Sequence, residues 1–247
     1  MDVLILAGGR CDAEFAEKTG GEVRGDVSFL GRTLTEIVLD ATRGVGRQVV
    51  VGTSPDPKVM SVPAGKGFLE SLEAGIAEMG DEMVMVTADL PLLRAEHIQT
   101  FLQKKGARAE ISVPIIELAD CQRVAPGVPR TTVQIKEGRF TAGNILWAKT
   151  SAMRKLLPKV RQGYENRKSP FKMARIIGAA ALAKLVLAKL APTRVSAKDL
   201  AGTVGRQFGI QLEALMMREA EIGTDVDQYS QLEALLALQE NGNRANT

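Results

Sequence analysis

The chain has 247 residues, 45 % of them hydrophobic, with 32 Lys and Arg against 29 Asp and Glu and a formal net charge of +3. That is enough apolar content for one sizeable core, and the charge is too small to call for a nucleic-acid partner. Two cysteines far apart, Cys11 and Cys121, and a single histidine, His97, argue against a disulfide framework, a Cys/His metal cluster and any His-based catalytic triad that does not rest on His97 alone.

The chain opens on a short apolar run, Val3 to Leu6, followed at once by Ala7, Gly8, Gly9 and Arg10. Val, Ile and Leu without polar alternation suit a strand buried on both faces, as in a parallel sheet. Glycines directly after such a strand let the backbone turn tightly and approach a ligand, so this turn is read as either a nucleotide-phosphate site or a plain structural turn. Cys11 to Ser28 then reads as a long polar loop with Lys18 and Arg24 as its cations. Thr33-Leu34-Thr35-Glu36 has the form of a capping box, and Leu34, Ile37, Val38 and Ala41 follow at helical spacing. Gln48 to Val51 is the next strand. Val62 to Gly67 is a second glycine-bearing loop, leading into a helix whose inner face carries Phe68, Leu69, Leu72, Ile76 and Met79. Met83 to Thr87 is again an apolar strand, ending in Ala88-Asp89-Leu90-Pro91. Alternating strands and helices imply a mostly parallel sheet with right-handed crossovers. His97, in the first turn of the next helix, is read as structural.

Glu110 to Ile116 is expected to be a strand. Thr132 to Ile135 and Arg139 to Phe140, joined around Glu137-Gly138, form a hairpin. Thr141-Ala142-Gly143-Asn144 leads to a strand from Ile145 to Ala148 and a helix from about Thr150. Arg154 to Arg175 holds eight Lys or Arg and one acid, Glu165, and reads as either a solvated face or a phosphate-attracting rim. Ile176 to Ala191 is apolar but interrupted by Lys184 and Lys189, too short for a membrane span and suited to a core or homodimer helix. Ser196 caps a helix to Phe208, with Asp199 three residues on, and Ile210 to Met217 is a last strand. Glu221 to Asp227 leads into a closing helix with Tyr229, Leu232, Leu235 and Leu236 inward, and the polar tail after Gln239 is expected to fray. Asp2 stands where a signal peptide would carry positive charge, so a cytoplasmic protein is expected.

Asp89 closes a buried strand at the sheet edge where open α/β folds bind ligands. A carboxylate there needs a cation, a metal ion or water, and hard oxygens suit Mg²⁺, which bridges phosphates; a helix N-cap is the other reading. Asp225 and Asp227 repeat the theme, one expected to face the site while the other caps the closing helix.

Taken together, Leu4-x-Leu6-Ala7-Gly8-Gly9-Arg10, Thr87-Ala88-Asp89-Leu90-Pro91-Leu92, Thr141-Ala142-Gly143-Asn144 and Asp225-Val226-Asp227 with Leu232-Glu233 resemble, in order, the motifs of the MobA-like nucleotidyltransferases. The resemblance implies a Rossmann-like, GT-A-type three-layer sandwich with a mostly parallel mixed sheet. It implies one nucleotidyltransferase domain over 1–240, with a helical insertion at about 150–208 and a flexible tail at 241–247. It implies a Mg²⁺-dependent enzyme that moves the NMP group of an NTP to a phosphorylated small-molecule acceptor, a sugar phosphate or cofactor precursor, and releases pyrophosphate. By the same resemblance Leu6, Ala7, Gly8, Gly9 and Arg10 would wrap the nucleotide, and Gly65 and Gly67 would contact the base. Asp89 and Asp227 would hold the metal, and Gly143 and Asn144 would face an anionic acceptor; neither nucleic acid nor membrane is implied as a partner. One departure stands out. The family continues its turn with Gly-Thr-Arg-Met and then a Pro-Lys pair, whereas here Arg10-Cys11-Asp12-Ala13 follows and no Pro-Lys occurs. Counting back from Leu30-Gly31-Arg32, Arg24 falls at the position of the phosphate-binding lysine, and Arg can neutralise phosphate in a bidentate way. A GT-A glycosyltransferase using a nucleotide-sugar, and a non-catalytic nucleotide-binding regulatory protein, are the alternative readings.

Overall fold

Val3, Leu4 and Ile5 are wholly buried, and they alternate between two separate cores: Val3 and Ile5 in one, Leu4 in the other. That alternation is what a strand covered on both faces must show. In the computed structural model, which describes residues 1–166, 176 and 178–245 with the side chains of 240–245 excepted, this strand is β1 (Asp2–Leu6), central to a nine-stranded sheet. Its neighbours β4 (Arg47–Val51) and β6 (Glu82–Thr87) both run parallel to it, Leu4 lying beside Val49 on one side and Met85 on the other. β5 (Met60–Val62) extends the sheet beyond β4.

On the other side β10 (Ile145–Lys149) runs antiparallel to β6 and to β7 (Ile111–Glu117), and β11 (Leu212–Met217) is parallel to β7. β8 (Val133–Ile135) and β9 (Gly138–Ala142) make the expected hairpin, and β9 pairs the far half of β7. A separate two-stranded ribbon, β2 (Ser28–Phe29) and β3 (Arg32–Thr33), turns on Leu30 and Gly31, both at positive φ.

Helices cover both faces. One core packs α2 (Leu34–Ala41) and α4 (Ala95–Lys104) on the sheet through Val38, Leu39, Ile98 and Phe101. The other packs α3 (Phe68–Ala77) and α6 (Thr150–Glu165) through Leu72, Ile76, Ala152 and Met153. The three-layer α/β architecture with a mostly parallel mixed sheet is thus the one expected. The capping box of α2 is present in both directions: Glu36 N–H donates to Thr33 Oγ1 at 3.2 Å, and Thr33 N–H donates to Glu36 Oε2 at 2.7 Å. His97 is buried at the third position of α4, where its Nδ1 accepts from Arg94 N–H at 3.2 Å, a structural role as read from the sequence.

The stretch Cys11–Ser28 departs from its expected irregularity. It holds α1 (Ala13–Thr19), capped by Asp12, which accepts from Phe15 N–H at 2.8 Å, and closed by Gly20 at φ 73°. The helix carries a single buried residue, Phe15, so no apolar periodicity announces it; Phe15 meets Tyr229 edge-on at 6.4 Å. The short α5 (Leu118–Val124) likewise buries only Cys121. Phe68 is exposed rather than inward and stacks on Tyr164 at 6.0 Å.

Among the described cations of the basic segment, Arg154 donates to Ile76 O and Met79 O, Lys155 to Gly209 O and Arg161 to Glu73. They tie α6 to its neighbours, Lys159 is exposed on the same helix, and the segment's cations at 167–175 lie outside the described residues. α7 (Ala179–Leu190) buries Ala181 and Ala188 and exposes Leu182, Val186, Leu187 and Leu190. α8 (Ala197–Phe208) carries the expected Ser196–Asp199 box and packs on β11. The closing helix α9 (Tyr229–Ala245) runs six residues past the expected fray at Gln239. No described helix is long and apolar enough to cross a membrane. Thr33→Ala removes a cap whose loss costs about 1 kcal/mol; calorimetry should show a melting temperature lower by roughly 2–4 °C, with the far-ultraviolet spectrum unchanged.

Candidate functional site

All the motifs singled out in the sequence meet along one edge of the sheet. Strands β1 and β6 end there, and because β10 is antiparallel, its first residues reach the same edge. Ala7 continues β1 by donating from its N–H to Val51 O at 2.9 Å, and Ala88 N–H donates to Leu6 O at 3.0 Å. Gly8 has no room for a side chain: a Cβ would lie 2.4 Å from Ala64 Cβ, so the 63–67 loop rests directly on the turn. Gly65 is equally confined, against Glu70 and the backbone of Ser71, while Gly67 is open and caps α3. Lys66 N–H donates to Glu70 Oε2 at 2.7 Å, and Gly65 N–H to Ser71 Oγ at 3.0 Å, which fixes this loop from below.

The chain after Arg10 returns to the turn. Cys11 N–H donates to Glu22 O, Arg24 N–H donates to Gly9 O at 2.8 Å, and Arg10 and Val23 form an antiparallel bridge. Gly25 permits this return, since a Cβ there would sit 2.5 Å from Thr35 Oγ1 and 3.0 Å from Ala7 O. Arg24 therefore projects to the strand ends from a fixed backbone. Its Nη1 donates to Asp89 Oδ2 at 3.1 Å and to Asp227 Oδ1 at 2.6 Å, and its Nη2 reaches Arg10 O at 3.4 Å. Arg10 points elsewhere: its side chain is 80 % exposed and pairs with Glu22 at 3.4 Å.

Asp225 joins Asp89 and Asp227, with one carboxylate oxygen from each lying within 4.8 Å of the others. The expected division of labour between Asp225 and Asp227 is therefore corrected. Residues two apart on an extended segment share a face, and Val226 between them is buried and donates from its N–H to Asp89 O at 3.0 Å. The helix start is capped instead by Gln231, whose Oε1 accepts from Asp227 N–H at 2.6 Å and Gln228 N–H at 3.0 Å. Burial raises the carboxyl of Asp225 above its ordinary range, the charges of Asp89 and Asp227 add to this, and a hydrogen bond from Asn144 opposes it. Asp89 Oδ1 is buried with no hydrogen-bond partner among the described residues. Three hard oxygen donors and an open lone pair fit a divalent cation.

Gly143 and Asn144 lie at the kink between β9 and β10. Gly143 N–H donates to Pro114 O and Asn144 N–H to Ile222 O at 2.7 Å, and a Cβ on Gly143 would meet Pro114 at 2.8 Å. Beside them opens a cleft of about 240 Å³ lined by Arg130, Thr141, Asn144, Asp225, Asp227 and Gln231, among others. Arg130 is a site residue the sequence did not reveal. It donates to Gly223 O and, at 2.9 Å, to Thr224 Oγ1, and so clamps the segment that delivers Asp225. No motif marks it, because its role depends on a contact 93 residues away.

The profile of the MobA-like NTP transferase domain matches residues 3–168. A hypothetical transferase from Thermus thermophilus is 31 % identical, with TM-score 0.82 over 94 % of this chain and 98 % of its own. The 2-C-methyl-D-erythritol 4-phosphate cytidylyltransferase of the same organism shares 13 % identity and TM-score 0.55 over 96 % of this chain and 98 % of its own. A CMP:2-keto-3-deoxy-manno-octonic acid synthetase complexed with CTP shares 14 % and 0.55 over 97 % and 98 %. At these identities the last two show a common fold. A search of curated proteins finds no match.

The packing of the turn gives a paired test. Gly8→Ala forces a Cβ onto Ala64, and overpacking of this kind costs about 1–3 kcal/mol. A Cβ on Gly9 meets nothing within 4 Å, so Gly9→Ala should stay within about 0.5 kcal/mol of the parent. Urea unfolding of both variants should show the gap, and equal stabilities would contradict the described contact.

Proposed function

This chain belongs to the MobA-like NTP transferase family, and from that premise we propose that it moves the NMP group of an NTP to a phosphorylated or otherwise anionic small-molecule acceptor, releasing pyrophosphate. One observation carries the reading: a side-chain-free glycine turn, an arginine and three carboxylates converge on one sheet edge, next to a cleft of acceptor size. A terminal oxygen of the acceptor's phosphate or other anionic group attacks the α-phosphorus in line, and the bond from that phosphorus to the pyrophosphate oxygen breaks. Such a reaction consists mainly of positioning and charge neutralisation, and it needs neither a covalent nucleophile nor a catalytic histidine.

In this reading Leu6, Ala7, Gly8 and Gly9 present backbone to the triphosphate, where no Cβ intervenes. Gly65 and Gly67 belong to the loop resting on that turn, in position to read the base through main-chain groups. Asp89 and Asp227, with Asp225 beside them, would hold Mg²⁺, which when bound would neutralise phosphate charge. Arg24 offers a fork suited to the leaving pyrophosphate, and Arg10, exposed at the rim, reinforces it. Gly143 lets the chain pack closely against Pro114, Ile116 and Ile222 just before the cleft, and Asn144 holds Asp225 in place while facing the acceptor. The domain is taken to span 1–240, with 150–208 as a helical insertion, in a cytoplasmic enzyme.

Asp89→Asn removes a charge while keeping the shape of the side chain. Loss of one preorganised electrostatic partner lowers turnover by roughly a hundredfold or more. Pyrophosphate release, screened across the four NTPs with a panel of phosphorylated acceptors, should fall by at least that factor in a variant that melts like the parent. Full turnover in Asp89→Asn contradicts the assignment, and transfer of sugar from a nucleotide-sugar without pyrophosphate release would favour a glycosyltransferase.

A further inference from the structure

Arg24 stands inside the carboxylate cluster rather than beside it. A single nitrogen, Nη1, bridges Asp89 Oδ2 at 3.1 Å and Asp227 Oδ1 at 2.6 Å. Asp89 and Asp227 are two of the three acids that could share a cation, so the guanidinium and a divalent ion draw on the same two carboxylates. The arrangement is well shielded on one side, since the side chains of Arg24 and Asp89 are only 19 % and 15 % exposed, and open on the other, where Asp227 is 57 % exposed.

Two features make this position exchangeable. Arg24 Nε is buried with no hydrogen-bond partner among the described residues, so the guanidinium leaves one donor unsatisfied while it sits there; such a donor carries an energetic cost that a move toward phosphate oxygens or water relieves. The backbone of Arg24 is also held independently of its side chain. Its N–H donates to Gly9 O at 2.8 Å, and its carbonyl accepts from Val27 N–H at 3.1 Å. The side chain can swing from the acids to the glycine turn while these main-chain bonds hold the loop, at the loss of its 3.4 Å contact to Arg10 O. Arginine suits both stations, because its fork matches carboxylate and phosphate alike and it keeps its charge throughout.

Building on the metal-and-nucleotide reading of this edge, we propose that Arg24 is the resident counter-ion of the carboxylate cluster: it fills the divalent cation's place while nucleotide is absent and moves to the triphosphate when nucleotide binds, so that the ion enters with the nucleotide rather than ahead of it. Binding of the two is then coupled, and each tightens the other by the same factor.

The test is Mn²⁺ binding to the nucleotide-free protein, read from the paramagnetic resonance signal of free Mn²⁺ as protein is titrated. R24M should bind Mn²⁺ at least tenfold more tightly than the parent, and R24K, which retains a cation, should stay near the parent. R24Q replaces R24M if the latter fails to fold by circular dichroism. Equal or weaker Mn²⁺ binding by the folded neutral variant overturns the proposal while leaving the metal site standing. If neither parent nor variant takes up Mn²⁺, with or without an NTP analogue beyond what the analogue binds alone, the metal reading itself falls and the proposal with it.

Discussion

Three carboxylates brought within 4.8 Å of one another at a sheet edge require positive charge, and the rest of the site follows from how that charge is supplied. Without it, mutual repulsion and partial burial would drive the three acids apart or protonate them, and the raised carboxyl of Asp225 shows the pressure. Arg24 supplies the charge from a loop laced to the glycine turn by main-chain hydrogen bonds at Gly9 and Glu22. The turn, the loop and the acids are therefore one unit. Gly25 is where the returning loop comes too close to Ala7 for any side chain, and Gly8 is where the turn meets Ala64 of the 63–67 loop.

The sheet does the remaining positioning. Parallel β1 and β6 end side by side and place the glycine turn next to Asp89. The reversed strand β10, antiparallel to β6, brings Asn144 to the same edge, where its side chain meets Asp225. The segment after β11 crosses over and is pinned by Asn144 N–H on Ile222 O, by Val226 N–H on Asp89 O and by Arg130 on Gly223 and Thr224. The cluster joins Asp89 to a segment far along the chain that carries Asp225 and Asp227, so it exists only in the folded protein.

Much of this was legible in the sequence because it rests on local rules. The apolar runs of β1 and β6, the Thr33–Glu36 and Ser196–Asp199 boxes, the Glu137-Gly138 hairpin and the structural His97 each depend on neighbours a few residues away. Asp89 at a strand end and the glycines of the turn were legible too, through the order of four motifs, and counting back from Leu30-Gly31-Arg32 singled out Arg24, which lies beside Asp89. What escaped depends on distance or on a single contact. α1 shows one buried residue, Phe15, in place of a periodic face; Asp12 and Gly20 at its ends are the cap signals that could have disclosed it. Arg130 acts across 93 residues. The joint orientation of Asp225 and Asp227 follows from the two-residue period of an extended segment, a rule that places both carboxylates together once Val226 is known to face the core.

The central claim is that the glycine turn and the three acids form one nucleotide and metal site. Its most direct test is an anomalous-scattering map from crystals grown with Mn²⁺ and a non-hydrolysable NTP analogue. The account predicts a manganese peak touching Asp89 and at least one of Asp225 and Asp227, with the analogue's phosphates against Gly8 and Gly9. An analogue bound away from this edge, or a metal peak that touches none of the three acids, would contradict it.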